Sequence, residues 1–302
     1  MENKYNFEVI IIGGSYAGLS AAMALGRSLR SVLIIDSGLP CNRQTPHSHN
    51  FITHDGETPA EISRQAKEQV LKYPTITFKS DLAISGRKIN NEFEIKTQTG
   101  KIYECKKLII ATGITDEMPD IKGFADCWGI TVIHCPYCHG FEFKNLKTAI
   151  MANGTRAMHL AGLVNNLTPN LSIITSGIAD FTDDQRAKLA NHNIEIIEKP
   201  ITEIKHTNGK IDNVIFADST EIFFEAMYAA LPFKQHSDMA EKLGCELTEH
   251  GYVKTDGFQK TTVNGVYACG DNSAMMRSVA NAAYTGNLTG AMVNKDLVDE
   301  TF

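Results

Sequence analysis

The stretch from residue 7 to residue 36 constrains the fold more than any other part of the chain. Residues 7–12 are apolar and β-branched, as in a parallel strand buried on both faces. Gly13-Gly14-Ser15-Tyr16-Ala17-Gly18 follows directly, and the Ala- and Leu-rich residues 19–29 have helical character. Residues 31–35 form a second apolar strand that ends at Asp36. Strand, glycine turn, helix, strand and terminal acid make a β-α-β unit suited to a dinucleotide. Gly13 permits the tight turn, and Gly18 lets the helix pack close to the strand. The helix N-terminus offers backbone N–H groups and a partial positive charge to a pyrophosphate. Asp36, 18 residues after Gly18, is placed to accept from ribose hydroxyls. Ser15 replaces the usual middle glycine but is small enough for backbone approach. A plain β-α turn of small residues is the competing reading, and the acid at position 36 counts against it.

A chain of 302 residues divides more naturally into two domains than one. With 43% hydrophobic and 21% charged residues, it has globular composition and can bury a sizeable core. A net charge of -6 argues against a nucleic-acid or anionic-membrane binder, which needs a basic face. No run is long and apolar enough for a membrane span. The start, Met1-Glu2-Asn3-Lys4-Tyr5-Asn6, has neither the basic nor the apolar region of a secretory leader. The expectation is therefore a cytoplasmic protein whose seven cysteines are reduced by default.

Beyond Asp36 a polar stretch, residues 38–55, carries His47, His49 and His54; loops of that length usually cover or serve a site. Thr58 is a candidate N-cap, with Pro59 in the first turn of a helix running to Lys72. Short alternating segments at 75–78, 82–85, 93–97 and 102–105 suggest an antiparallel meander. A strand over 107–111 then runs into Ala111-Thr112-Gly113. A linker over 114–123 precedes a second α/β block. That block has strands at 148–151 and 171–175 around a helix at 156–165, with four more strand-like runs between 194 and 224. The two β-α-β units form a weak internal repeat. A short strand at 266–268 closes on Gly270-Asp271, and residues 277–297 have helical character despite Gly286 and Gly290.

Cys135-Pro136-Tyr137-Cys138 is the chemical focus of the chain. Two cysteines at this spacing can close a reversible disulfide, and such pairs often carry lowered thiol pKa values that favour exchange. Half of a zinc site is the alternative. His134 and His139 flank the pair, but neighbours of a ligand in sequence usually point elsewhere, and no second Cys-x-x-Cys exists. The expectation is no metal. His139 can serve as general acid and base near neutral pH. A loop histidine held by backbone hydrogen bonds is the plainer reading of His139, and more so of His134.

A Cys-x-x-Cys early in the second of two dinucleotide-type domains resembles the low-molecular-weight thioredoxin reductase family. The landmarks occur in order: Gly13-Gly14-Ser15-Tyr16-Ala17-Gly18, Ala111-Thr112-Gly113, the Cys pair, and Gly265-Val266-Tyr267-Ala268-Cys269-Gly270-Asp271. The form His134-Cys135-Pro136-Tyr137-Cys138-His139-Gly140-Phe141-Glu142 is similar to a branch containing gliotoxin- and holomycin-type dithiol oxidases. The resemblance implies an α/β fold of two Rossmann-like dinucleotide-binding domains of the three-layer ββα type. The FAD domain would be discontinuous, over 1–116 and 234–302. An NAD(P)H-type domain over 117–233 would carry the Cys pair. FAD would be held by Gly13, Ser15, Ala17, Gly18, Asp36, Asn50, Ala111, Thr112 and Gly113. Gly270, Asp271, Arg277, Ser278 and Val279 would complete the set. Cys138 would face the flavin, Cys135 would exchange with substrate, and His139 would stand where thioredoxin reductases carry an acidic proton donor. Family members are homodimers.

One departure bears on direction. The second glycine turn reads Ala152-Asn153-Gly154-Thr155-Arg156-Ala157, with Ala152 replacing the first glycine. The following strand leads to Thr175-Ser176-Gly177-Ile178-Ala179-Asp180, without the arginine pair a 2′-phosphate calls for. NAD(P)H use is thus expected to be weak, altered or lost. Together with His139, this leans towards oxidation of a dithiol with electrons passing through FAD to an acceptor such as O2. The substrate would be a small-molecule dithiol or disulfide, or a thioredoxin-like protein. An NAD(P)H-linked disulfide reductase is the second expectation, and a non-catalytic flavin redox sensor the third.

Overall fold

The computed structural model describes residues 5–302. The expectation of no leader rests partly on residues 1–4, which lie outside the described residues. Up to the middle of the chain the elements are β1 (Tyr5–Ile12), α1 (Tyr16–Arg27), β2 (Val32–Asp36), α2 (Pro59–Val70), β3 (Ile76–Ser80), β4 (Ala83–Ile89), β5 (Glu92–Thr97), β6 (Ile102–Ile110) and β7 (Ile114–Asp116). Next come α3 (Phe124–Cys127), β8 (Val132–Ile133), α4 (Pro136–His139), β9 (Thr148–Met151), α5 (Gly154–Val164), β10 (Leu171–Ile174), α6 (Asp183–Asn191) and β11 (Glu195–Ile197). The last are β12 (Ile201–Thr207), β13 (Lys210–Phe216), β14 (Glu221–Ile222), β15 (Ala226–Ala229), β16 (Phe233–Gln235), α7 (Met239–Lys242), β17 (Val266–Ala268) and α8 (Val279–Asp299). They form two compact units. The first contains the chain up to Arg43, Phe51–Thr115 and Phe233–Phe302; the second contains Gln44–Asn50 and Asp116–Pro232.

The first unit is built on β1. Val9, Ile10 and Ile11 are fully buried, which is why this strand alternates nothing and sits at the centre of a parallel set. The sheet runs β3-β2-β1-β6-β5-β4, with β17 also on β6. Ile12 is level with Ile35 of β2 and Ile110 of β6, so these three strands end together beside the glycine turn. α1 packs on one face with α8, through Leu19, Ala22 and Leu25 against Ile34, Ile109, Val293 and Leu297. Gly286 and Gly290 are what lets α8 cross α1 so closely. A Cβ on Gly286 would lie 2.1 Å from the Ala17 carbonyl oxygen, and one on Gly290 2.5 Å from that of Ala21. Phe93, Ile95 and Ala83 of the β4-β5 hairpin join Ile10, Ile12 and Leu33 in a second core.

Three details differ from the expected elements. One continuous strand, β6, stands where two are expected. Its first half pairs antiparallel with β5 and its second half parallel with β17. Lys106-Lys107 looks like a break in sequence, yet Lys107 is buried within the strand and ion-paired to Glu300. β3 pairs parallel with β2 and is not part of the meander. α2 begins as expected, with Thr58 accepting from the Glu61 N–H at 3.2 Å, but ends at Val70.

The second unit repeats the scheme on a smaller scale. Its parallel sheet runs β11-β10-β9-β15-β8, and an antiparallel sheet runs β12-β13-β14. Phe124, Phe216 and Phe224 are buried with Val214, Ile174 and Met227, filling the space between the two sheets. Leu160 and Val164 of α5 and Leu189 of α6 cover Ile150 and Ile173 on the other face. Antiparallel sheet, parallel sheet and helices make the three layers of a Rossmann-like domain. Among the described residues no helix is long and apolar enough to cross a membrane.

Candidate active site

In the first unit the end of β1 opens into a cavity of about 820 Å³, lined by Gly13, Gly14, Ser15, Asp36, Ala111 and Thr112 among others. Gly13 has φ +106, and a Cβ there would sit 2.2 Å from the Ala111 carbonyl oxygen. Only glycine makes this turn without moving backbone. Asp36 is tied to the turn, its Oδ1 accepting from the Gly14 N–H at 2.8 Å. Ser15 caps α1 by position but makes no side-chain cap bond, so the first-turn N–H groups of a 12-residue helix are not capped by it. Thr112 Oγ1 is buried without a hydrogen-bond partner, which a ligand oxygen or nitrogen here would supply. Volume, glycine turn, acid and orphaned hydroxyl fit the adenosine diphosphate portion of FAD.

Of the sequence-derived cofactor residues, Gly13, Ser15, Asp36, Ala111 and Thr112 line this one cavity. Ala17 and Gly18 are buried in α1 beneath the turn, and a Cβ on Gly18 would press on the Gly13 carbonyl oxygen at 1.9 Å. Gly113, with φ +67, follows Thr112 outside the lining. Gly270, Asp271, Arg277, Ser278 and Val279 are also outside it. Gly270 N–H donates to Thr285 Oγ1 at 3.1 Å, and Arg277 Nε stands 4.0 Å from Asp271 Oδ2. Ser278 caps α8 by accepting from the Asn281 N–H, and Val279 is the first residue of that helix. Asn50 belongs to the second unit. Sequence reasoning missed Arg64, Lys67, Phe78 and Lys242, which also line the cavity. Lys67 lies 3.5 Å from the Phe78 ring centroid, a contact between α2 and β3 that no local pattern signals.

The second unit holds the Cys pair. Cys135 and Cys138 form a disulfide across the single turn α4, with Cα atoms 5.3 Å apart. Pro136 opens the turn, where a missing N–H costs nothing. The Cys138 N–H donates to Cys135 Sγ at 3.2 Å. That donor favours negative charge on Cys135 once the disulfide opens. Tyr137 and Phe141 on either side of Cys138 in sequence are 68% and 69% exposed, with Lys144 Nζ 3.7 Å from the Phe141 ring centroid. The remaining thiols separate cleanly. Burial raises Cys127 to about 11 and Cys269 to about 12, and pushes Cys105 and Cys245 up as well. Cys41 alone among these five is exposed.

His139 ends α4. Both its ring nitrogens are buried and make no hydrogen bond of good geometry. Burial, and then a positive charge on His49, lower its pKa, while the Glu142 carboxylate and the His47 backbone oppose that shift. An imidazole that burial disfavours in its charged form can accept a proton, and His139 directly follows Cys138 in the chain. The segment Gln44–Asn50 supplies His49, whose ring meets that of His139 edge-on at 6.4 Å between centroids. His49 Nε2 lies 3.5 Å from Glu142 Oε1. His134, before the pair, is half-buried. Among the described residues no group of three or more His, Cys, Asp or Glu is arranged to hold a metal ion.

The second glycine turn is occupied by the chain itself. Gly154 has φ +56, and Asn153 caps α5 by accepting from the Gly154 N–H at 2.8 Å. The same Asn153 Oδ1 accepts from the Asp180 N–H at 2.9 Å, and its Nδ2 donates to the Ile178 carbonyl at 2.9 Å. A Cβ on Gly154 would lie 3.3 Å from Asp180 Oδ2, so a carboxylate stands against the mouth of this helix. Glu198 Oε1 accepts from the Ala179 N–H at 2.6 Å. Arg156, the nearest cation of the turn in sequence, directs Nη1 to the Ala230 carbonyl at 3.4 Å.

Two dinucleotide-type folds, one with a glycine-turn cavity and one with a Cys-x-x-Cys disulfide, fit a disulfide oxidoreductase. The chain belongs to the pyridine nucleotide-disulphide oxidoreductase family, whose model matches residues 7–286. It is 30% identical over 302 residues to thioredoxin reductase tcpT of Claviceps purpurea, covering 96% of this chain and 94% of that one. Its fold is similar to an oxidoreductase from Agrobacterium tumefaciens, at 36% identity and TM-score 0.91 over 97% of this chain and 99% of the other. It is also similar to a putative thioredoxin reductase TrxB from Bacillus anthracis, at 30% identity and TM-score 0.93 over 98% and 100%. The chain is thus a flavoprotein-type oxidoreductase of thioredoxin reductase-like fold.

Proposed function

We propose that this enzyme is an FAD-dependent dithiol oxidase. The observation that carries the reading is the second glycine turn, where Asn153 and Asp180 stand at the mouth of the helix a nicotinamide dinucleotide needs. A pyrophosphate there must displace two hydrogen bonds of Asn153 and approach a carboxylate, and a 2′-phosphate finds Glu198 and Asp180 in place of arginines. The first unit has the opposite character, with an open cavity and an unpartnered Thr112 hydroxyl.

The chemistry follows from the Cys pair. A substrate thiol gives its proton to His139, and its sulfur attacks Cys135 Sγ. The Cys135–Cys138 bond breaks, and Cys138 leaves with the electron pair as a thiolate. The second substrate thiol gives its proton to solvent, and its sulfur displaces Cys135 from the mixed disulfide, closing the substrate disulfide. Cys135 Sγ, with the Cys138 N–H as donor, takes up the departing charge. Substrate has lost two electrons and two protons, and the Cys pair has gained the electrons. FAD, when bound, would supply a two-electron sink for the reduced Cys pair, with an acceptor such as O2 beyond it. Gly13, Asp36 and Thr112 would hold its adenosine and pyrophosphate. The exposed Tyr137 and Phe141 favour an apolar small-molecule dithiol over a polar one. A homodimer, as the family resemblance implies, belongs to the same reading.

The relatives named thioredoxin reductase favour a second reading, an NAD(P)H-linked disulfide reductase. Anaerobic rapid mixing of the FAD-loaded protein with NADPH, and separately with dithiothreitol, decides between them. Bleaching of the flavin band by the dithiol alone supports the oxidase. Fast bleaching by NADPH overturns it.

A further inference from the structure

His49 is brought to the redox turn by a segment remote from it in sequence. Within the second unit Ser48 is buried at 6% exposure, anchoring the Gln44–Asn50 segment, while His47 and His49 flank it. The His49 ring meets His139 edge-on, and its Nε2 faces Glu142 Oε1 at 3.5 Å. Glu142 therefore holds the histidine that in turn abuts the buried ring of His139. We propose that His49, held by Glu142, is a positioning residue that orients His139 to take the substrate's thiol proton. This rests on the reading of His139 as the proton acceptor of the dithiol oxidation.

The charges around His139 act in opposite senses. A proton on His49 opposes a second positive charge on His139, and the Glu142 carboxylate favours one. The other groups at the turn are named as follows. α4 contributes Cys135 and Cys138, with His134 just before them. The Gln44–Asn50 segment adds His47, whose ring lies 6.4 Å from that of His49. β15 adds Tyr228, buried and pushed up by burial and by Glu142. α5, packed on α4, carries Arg156, directed to Ala230, and His159. His49 and Glu142 are thus the pair whose removal should move His139 in contrary directions. A role confined to packing would not produce two shifts of opposite sign.

The test is the pH dependence of flavin reduction by dithiothreitol in the anaerobic, FAD-loaded full chain, measured by stopped flow. The dithiol's own ionisation is common to all variants and cancels in the comparison. His139→Gln should remove the acid limb of the profile and slow reduction at neutral pH by about a hundredfold, the usual scale for a general base. His49→Gln should move the acid limb to higher pH, and Glu142→Gln should move it to lower pH. His49→Lys, which restores a positive charge beside Glu142, should bring the limb back towards the wild-type position. Retention of FAD and of the far-ultraviolet dichroism spectrum reports folding. If His49→Gln does not fold, the downward shift in Glu142→Gln, an exposed residue, carries the test. Loss of the limb in His139→Gln with no movement in the His49 and Glu142 variants overturns the positioning role alone. An unchanged rate and limb in His139→Gln overturns the proton-acceptor reading beneath it.

Discussion

Gly13→Ala separates two costs that the glycine turn imposes. The first is conformational. At φ +106 an alanine adopts a region that L side chains rarely occupy, at about 1–3 kcal/mol. The second is steric. The new Cβ would stand 2.2 Å from the Ala111 carbonyl oxygen, and the obstacle is backbone of a strand end, not a side chain that can swing away. Relieving it means moving the turn or β6 by about 1 Å, at a further 1–3 kcal/mol or so. Gly100→Ala is the internal control, because Gly100 has φ +81 but nothing within 4 Å of its Cβ position. It bears the first cost without the second. At about 2–4 °C per kcal/mol, Gly13→Ala should lower the melting temperature by roughly 4–24 °C and Gly100→Ala by about half as much. The assay is thermal denaturation with and without added FAD, together with the flavin-to-protein absorbance ratio. Gly13→Ala should also lose FAD, since Gly13 lines the cavity, whereas Gly100→Ala should keep it. Equal destabilisation by both substitutions with equal FAD content would refute the argument that Ala111 presses on this turn.

Three further outcomes follow from the sites described. Alkylation of the native, oxidised protein should modify the exposed Cys41 and spare Cys105, Cys127, Cys245 and Cys269, whose thiols burial disfavours as thiolates; peptide mass spectrometry reads this directly. Because the His139 pKa is lowered in the folded chain, the unfolded state binds more protons as the pH falls below 6.5. Stability should therefore drop from there towards the lowered folded value and level off beneath it, and His139→Gln should flatten that part of a denaturant-midpoint profile. Cys135→Ser should retain FAD and fold but lose dithiol turnover by at least about a thousandfold, measured by oxygen uptake. Multiple turnover in the wild type also separates an enzyme from a redox sensor.

The first β-α-β unit was readable because its strands are buried on both faces and its turn needs glycine, so sequence and backbone carry the same signal. The Cys pair was readable for a similar local reason. β6 was not, because Lys107 is tolerated inside it only through Glu300, 193 positions away. At the second glycine turn the sequence exposes what is missing, the glycine at 152 and the arginine pair. It does not expose what replaces them, since Asn153 reaches Ile178 and Asp180 across a strand. The polar stretch around His47 and His49 has no periodicity at all. Its contact with His139 exists only through tertiary packing, as does the meeting of Lys67 with Phe78. Local chemistry could be read from spacing, and partners distant in sequence could not.

The central claim is that a substrate dithiol feeds electrons through Cys135 and Cys138 into FAD. Anaerobic titration of the FAD-loaded protein with a dithiol, followed in the flavin band, tests it most directly. The disulfide and the flavin each take two electrons, so full bleaching should need about two equivalents of dithiol in the wild type and fail in Cys135→Ser. Bleaching of Cys135→Ser at the wild-type rate and stoichiometry would contradict the account.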